Sequence, residues 1–353
     1  MIIRALQRSL KTTKKTKVRG FTLMELLISI AIASVVTTGL LYLVNELISV
    51  DRQEAKLDRV QRDMQRAMNY IADDLRESVY VYPDPTVVTA QLTPADLPPQ
   101  ATLPGGGATA TPVPVLAFWK PESLSPQDHA RLPANCDTIM PAPPAPNRAD
   151  CNALKLRQSY YSLVVYFSMV NADDNPNWPG MTRIIRYTLP QFTQANMPSI
   201  TRTDGFVPPD NDFANWTIPV GVTTNGDWNV LVDHVDSGWS AHGPLVAADN
   251  LGATPPVGCE AELGTGSGYT RSPVDDGTNA TLSNSFSACV SPPGSFANGS
   301  NQDVVVFLRG NIKTAAEEIA NPTDPNASRP TQSLLPTLKT QVLVRGAANK
   351  NPL

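Results

Sequence analysis

The chain has 353 residues, 41% of them hydrophobic, and a formal net charge of −4 at pH 7. This length suffices for a membrane segment together with one or two folded domains. The charge is uneven, because residues 1–20 carry seven basic side chains and no acid, so the remainder of the chain is acidic. An acidic remainder argues against nucleic acid as a partner, since phosphate binding requires clustered basic charge.

The first predicted element is an apolar segment at residues 26–44, which contains no charged residue. At about 1.5 Å of helix rise per residue, it reaches roughly the 30 Å of a bilayer's hydrocarbon core. By the positive-inside rule, the basic residues before it stay in the cytoplasm and the bulk of the chain lies across the membrane. An ordinary secretory signal has a shorter apolar core with a small-residue cleavage site behind it. Here the small residue, Gly20, precedes the core, so cleavage there would remove the basic leader and keep the membrane helix. The alternative is a single-span membrane anchor that is not cleaved.

The residues Gly20-Phe21-Thr22-Leu23-Met24-Glu25-Leu26-Leu27 resemble the class III signal of type IV pilins and type II secretion pseudopilins. The resemblance implies that prepilin peptidase cleaves between Gly20 and Phe21 and that Phe21 becomes the methylated N-terminus. It also implies that Glu25 meets the N-terminal amine of a neighbouring subunit during assembly. A carboxylate in a membrane costs several kcal/mol unless it is paired, and a new amine supplies the cation. Glu25 is therefore predicted to specify assembly rather than the stability of the monomer.

The helical pattern continues beyond the apolar segment. Apolar residues recur mostly at steps of three or four, which predicts one helix from about residue 21 to residue 80, ended by Pro83 and Pro85. The members of this apolar stripe are Leu47, Leu57, Val60, Met64, Met68, Ile71, Leu75 and Val79. A stripe on one face predicts packing against a folded head, and an independent coiled coil is the alternative.

The predicted organisation is a cleaved leader (1–20), a membrane or filament-core helix (21–45), an amphipathic continuation (46–82), a Pro-rich irregular region (83–159) and a β-rich head (160–353). Within the irregular region only a short strand is predicted, at 113–119. Residues rich in β-branched and aromatic side chains predict further strands at 160–170, 182–189, 229–235, 303–308 and 340–345. Residues 240–300 are predicted to be a loop-rich insertion. A long helix followed by an antiparallel sheet that wraps its stripe is an α+β class.

Four cysteines are present, Cys136, Cys151, Cys259 and Cys289. An even number in an exported domain predicts two disulfides, and sequence-adjacent pairing is the simplest of three connectivities. The spacing disfavours zinc because no Cys-x-x-Cys pair occurs. No cofactor, metal site or catalytic residue is predicted, and the chain is not expected to be an enzyme.

Four tryptophans lie in or near predicted loops: Trp178, Trp216, Trp228 and Trp239. Such side chains stack on sugars, dock on partner subunits, or anchor the core. The pattern by itself leaves these three roles open.

The Arg- and Asp-rich helix at 61–76, followed by a large β head, resembles the large minor pseudopilins of the J type and the minor pilin called W. The chain is also similar to cyanobacterial pseudopilins of hormogonium polysaccharide secretion. The resemblance implies a filament subunit whose partners are prepilin peptidase, other minor and major pilins, an inner-membrane assembly platform and a polysaccharide. It implies an inner-membrane protein with a periplasmic head that later moves into a surface pilus or pseudopilus. The alternative is a membrane-anchored, exported binding module or adhesin that never joins a filament.

Overall fold

The computed structural model describes residues 20, 22–94, 97–99, 101–102, 109–138, 147–171, 177–209, 213–236, 239–240, 243–244, 259, 263, 266–273, 285–293, 301–312, 314 and 335–344. The leader residues 1–19 and Phe21, where the new N-terminus is predicted, lie outside these described residues. The chain divides into two compact units, residues 1–55 and residues 56–353.

The first element is a 55-residue α-helix, α1 (Leu23–Glu77). It begins where the Thr22 hydroxyl accepts a hydrogen bond of 3.3 Å from the backbone amide of Glu25. It ends where the hydroxyl and amide of Ser78 both donate to the carbonyl of Leu75, which is ahead of Pro83. Every side chain at positions 23–50 is exposed, and the helix is long and apolar enough to cross a membrane.

The second unit contains the end of α1, three shorter α-helices and thirteen strands among the described residues. In chain order they are β1 (Tyr80–Val81), α2 (Thr86–Thr89), β2 (Ala101–Thr102), β3 (Thr109–Ala110), β4 (Val113–Ser123), α3 (Pro126–Arg131), α4 (Asn147–Arg157), β5 (Ser159–Val170), β6 (Thr182–Pro190), β7 (Asp227–Val235), β8 (Trp239–Ser240), β9 (Gly243–Pro244), β10 (Thr270–Ser272), β11 (Phe286–Val290), β12 (Asp303–Leu308) and β13 (Leu338–Leu343). Single 3₁₀ turns lie at Cys136–Thr138 and Met197–Ser199.

Two antiparallel sheets form the second unit. The first has the strand order β1-β4-β5-β6-β7 and the second has the order β10-β11-β12-β13, while β2–β3 and β8–β9 are separate two-stranded ribbons. A long helix with antiparallel sheets confirms the α+β class. The prediction of a single sheet around the helix is wrong, since two sheets contribute to the core.

The main core joins α1 to both sheets. Val60, Met64, Ile71 and Leu75 of α1 are buried together with apolar residues from both sheets. These sheet residues include Phe118, Tyr166, Ile184, Phe286, Val304 and Val306. Burial of each large apolar side chain contributes about 1.5–3 kcal/mol, which is what holds residues 56–77 of the helix to the head. Leu47, which continues the same stripe in the first unit, is 65% exposed.

The region predicted to be irregular contains β4, an eleven-residue strand between β1 and β5. The short strand predicted at 113–119 begins at the same residue, and β4 continues it to Ser123. Helices α3 and α4 of this region were not predicted, because the region is rich in proline. Pro114 and Pro121 both lie in the strand and pair with β5, but β1 pairs only with Phe118 and Trp119. At both prolines β4 therefore has no β1 partner beside it, so the hydrogen bond that a proline cannot donate is not needed there.

The predicted loop insertion at 240–300 also contains regular structure. It includes β10 and the fully buried strand β11, which pairs with β12 over five residues. The sequence of β11, Phe-Ser-Ala-Cys-Val, is short and mixes small polar residues with apolar ones. Such a run carries little strand signal, because burial in the sheet rather than periodicity determines its conformation.

A glutamine side chain links the two sheets. Gln302 is buried, and its Nε2 donates to the Val81 carbonyl at 2.7 Å while its Oε1 accepts from the Val81 amide at 2.8 Å. The amide side chain thus takes the place of a neighbouring strand beside β1. This pairing satisfies backbone groups that would otherwise be buried without a partner.

Candidate functional site

The predicted processing segment lies at the start of α1. Gly20 is exposed, and a Cβ added there would meet no atom within 4 Å. Among the described residues, therefore, nothing in the fold requires glycine at this position. A requirement for glycine would come from an enzyme that acts on the segment.

Glu25 lies in the first turn of α1 and is exposed. The spacing from Thr22 to Glu25 is that of a capping box, and the Thr22 hydroxyl makes the expected bond to the Glu25 amide. A carboxylate in the first turn also interacts favourably with the helix dipole, by about 0.3–1 kcal/mol. Glu25 thus has a modest local role at the helix start, and its carboxylate is exposed.

The serine and threonine hydroxyls within the apolar segment are satisfied inside the helix. Ser29 donates to the Glu25 carbonyl at 2.7 Å, Thr37 to the Ala33 carbonyl at 2.7 Å, and Thr38 to the Ser34 carbonyl at 2.8 Å. In hydrocarbon an unsatisfied hydroxyl costs several kcal/mol. Because these hydroxyls bond back to the helix, the segment presents an apolar surface suited to lipid or to other helices.

A buried ionic cluster joins α1 to the first sheet. The carboxylate of Asp74 accepts hydrogen bonds from Lys120 Nζ at 2.8 Å, Tyr166 Oη at 2.7 Å and Arg186 Nε at 2.8 Å. Burial by itself raises the pKa of Asp74, but the hydrogen bond and charge of Arg186, with the bonds from Lys120 and Tyr166, outweigh burial and lower it. Burial lowers the pKa of Lys120 and of Arg186, yet the bonds to Asp74 raise both overall. Asp74, Lys120 and Arg186 therefore stay ionised. Because their bonds join α1 to two strands of the sheet, they fix the rotation of this part of α1 against the sheet.

The described residues of the head also line two cavities. A groove of about 760 Å³ lies between the polar side of α1 and strand β7, with Lys56, Arg59 and Trp178 in its walls. A smaller cavity of about 260 Å³ lies between α4 and the start of β5, with Asp150 and Arg202 in its walls. The sequence pattern alone indicates neither cavity, because their walls come from segments that are distant in the chain.

The structure contains the two disulfides, with the sequence-adjacent pairing Cys136–Cys151 and Cys259–Cys289. The first joins the 3₁₀ turn at 136–138 to α4, and the second joins residue 259 to β11. Within the described part of the chain no group of three or more His, Cys, Asp or Glu side chains is placed to hold a metal ion.

The tryptophans take different positions. Trp216 is 4% exposed and belongs to a second core, on the side of the first sheet away from α1. Trp228 is 39% exposed on β7, and Trp178 lines the larger cavity. The side chain of Trp239 lies outside the described residues. Of the three tryptophans in this set whose side chains the structure describes, only Trp216 is a buried core residue.

Comparison with known proteins identifies one motif. Residues 15–41 match the family described as the prokaryotic N-terminal methylation motif. This range includes Gly20, Phe21, Glu25 and most of the apolar segment. The match supports a type IV pilin-like or pseudopilin family for the chain, with processing by prepilin peptidase. No curated protein and no solved structure matches the chain.

Proposed function

We propose that this chain is a minor pilin or pseudopilin. Prepilin peptidase removes residues 1–20 and methylates Phe21, and α1 holds the protein in the inner membrane with the head in the periplasm. The subunit then joins other pilins, through an assembly platform, in a type IV pilus-like filament that serves secretion, with a polysaccharide as the exported material. The observation that carries the proposal is the methylation motif placed at the start of a helix whose apolar side chains at positions 23–50 are all exposed.

Assembly accounts for the position of Glu25. Its carboxylate lies at the end of the apolar surface, where entry into lipid or a helix bundle removes water. Cleavage before Phe21 creates an amine four residues away in the chain. An amine of an adjacent subunit satisfies the carboxylate and at the same time fixes the axial register of two helices, which an internal pair within one helix does not do.

A position at the filament tip suits the head better than a position in the shaft. Repeated heterologous contacts between like subunits build a helical filament, and each copy must fit beside its neighbours. The second unit spans residues 56–353 and includes long segments between strands, for example 191–226. A head of this size is more easily placed at the end of a filament than in every layer of it.

The role proposed is structural rather than catalytic. The alternative hypothesis is a membrane-anchored binding module. Such a protein would retain its leader or stay in the membrane as a monomer. Both hypotheses predict membrane localisation, so the processing state and the assembly state of the protein distinguish them.

The first measurement is the mass of the mature protein recovered from its native host. The proposal predicts an N-terminus at methylated Phe21. Gly20→Val should block the cleavage, and it should leave the head folded because a side chain at this position meets no atom of the described structure. Recovery of native protein with Met1 attached would overturn the proposal.

The second measurement is incorporation into sheared filaments. Glu25→Gln should abolish incorporation while the protein remains processed and in the membrane. Glu46→Gln is the matched control, because Glu46 is also an exposed acid on α1 but lies beyond the other end of the apolar segment. Equal incorporation of the two variants would show that Glu25 has no part in assembly.

A further inference from the structure

The smaller cavity has the features of a built binding site. Its volume is about 260 Å³, and its walls come from α4, from the start of β5 and from the chain around Arg202 and Pro208. Helix α4 is held in place by the Cys136–Cys151 disulfide. Drug-sized ligands occupy cavities from about 300 Å³ upward, so the occupant of this cavity is smaller, of the size of one sugar ring.

A rigid polar pair forms one wall. Both carboxylate oxygens of Asp150 accept hydrogen bonds from Arg202, at 2.7 Å from Nε and 2.9 Å from Nη2. The Asp150 side chain is 10% exposed and that of Arg202 is 25% exposed. Each carboxylate oxygen has two acceptor sites and Arg has five donors, so both groups retain capacity after pairing. They present a fixed acceptor next to a fixed donor.

Apolar and aromatic groups contribute to the rest of the lining, together with the polar side chains of Arg157, Ser159 and Gln191. Tyr160 and Tyr161, near the start of β5, belong to the lining, and so do Pro208 and Pro209. Burial, followed by the charges of Glu122 and Asp128, raises the pKa of Tyr160. Its hydroxyl therefore remains protonated at neutral pH and is able to donate a hydrogen bond.

We infer that this cavity binds a single pyranose unit of a saccharide. Vicinal hydroxyls donate to a carboxylate and accept from a guanidinium, which is the pair that Asp150 and Arg202 provide. The C–H face of a sugar ring packs on aromatic and proline surfaces. A proline-rich peptide fits the apolar walls but has few N–H donors for the acceptor sites that the Asp150 carboxylate retains after pairing with Arg202. The inference does not depend on filament assembly, because all of these groups lie in the head.

The test uses the full-length chain in a detergent without a sugar headgroup. Saturation-transfer difference NMR is recorded with methyl glycosides of glucose, galactose, mannose and N-acetylglucosamine, and with glucuronate. At least one should bind with millimolar affinity. Asp150→Asn should weaken this binding about tenfold or more, since a hydrogen bond to a charged group contributes about 1.5–3 kcal/mol. Ala153→Trp, which fills the cavity and leaves the ion pair in place, should abolish the binding.

Two control variants lie on the same helix but outside the cavity. Asn152→Trp adds the same side chain at an exposed neighbouring position, and Arg148→Gln removes the exposed ion pair with Asp137. Both should bind sugar as the wild type does. The inference is overturned if no sugar binds to the folded wild type, if binding persists in Ala153→Trp, or if only a Pro-Ala-Pro-Pro-Ala-Pro peptide binds. Any of these results leaves the assembly measurements unaffected.

Discussion

Removal of the Asp74 carboxylate is the sharpest test of how α1 is held on the head. Asp74→Ala leaves Arg186, whose side chain is 17% exposed, without an acid within salt-bridge distance among the described residues. Lys120 keeps its contact of 2.8 Å to Glu77. Truncation of one partner of a buried ion pair costs about 3–5 kcal/mol, and the retained Lys120–Glu77 contact places the expected loss near the lower end, about 3 kcal/mol.

Asp73→Ala is the matched control for this substitution. Asp73 lies on the same turn and pairs with Arg76, but both side chains are more than half exposed. Exposed pairs of this kind contribute about 0–1 kcal/mol. Urea unfolding of the full chain, followed by the fluorescence of buried tryptophans such as Trp119, measures both variants. Equal midpoints for the two variants would refute the assigned role of the cluster.

The effect of Asp74 also depends on pH. Its folded-state pKa lies below the usual value, so its contribution to stability is complete above the unfolded pKa of about 3.9. The contribution is lost as the pH falls through the lower, folded-state pKa. The difference between wild type and Asp74→Ala should therefore be constant from pH 5 to pH 8 (about the range where carboxylates stay ionised) and should shrink below about pH 4. A difference that grows on acidification would contradict the reasoning.

Three further outcomes are expected. Gln302→Leu should lower the unfolding free energy by about 2 kcal/mol or more, because it leaves two buried backbone groups of β1 unpaired; an unchanged urea midpoint would contradict this. Replacement of Cys136 and Cys151 by serine should cost about 3 kcal/mol, the value for a loop of about 15 residues, and equal stability of the oxidised wild type and this variant would argue against it. Burial, together with the hydrogen bond to Asp303, raises the pKa of Tyr269 to about 12, so the stability that this pair contributes is present below about pH 10 and is lost as the pH rises through about 12. Asp303→Asn should return the phenolate pKa toward 10 in an ultraviolet titration, and a wild-type value already at 10 would count against the contact.

The candidate sites differ in how far sequence alone could locate them. The processing segment is local, since Gly20, Phe21 and Glu25 lie within six consecutive positions. Their spacing along the chain is enough to recognise the motif. Asp74 lies three residues after Ile71 and one before Leu75, so it falls on the buried face of the helix. This position of an acid among the apolar residues of the stripe was a signal in the sequence that the prediction missed. Asp150 and Arg202 are 52 residues apart, and nothing in the sequence indicates that they pair.

The long helix, its apolar first part and the strand-forming segments follow from the sequence by itself, because they depend on composition, charge and periodicity over neighbouring residues. The number of sheets, the membership of β4 and β11 in them, the link from Gln302 to β1 and the cavity walls were decided only by the tertiary structure. The physical reason is that each of these depends on which distant segment supplies the missing partner. A strand tolerates proline at positions where the adjoining strand has ended. A glutamine side chain replaces a neighbouring strand only when the fold brings it beside backbone amide and carbonyl groups that have no other partner.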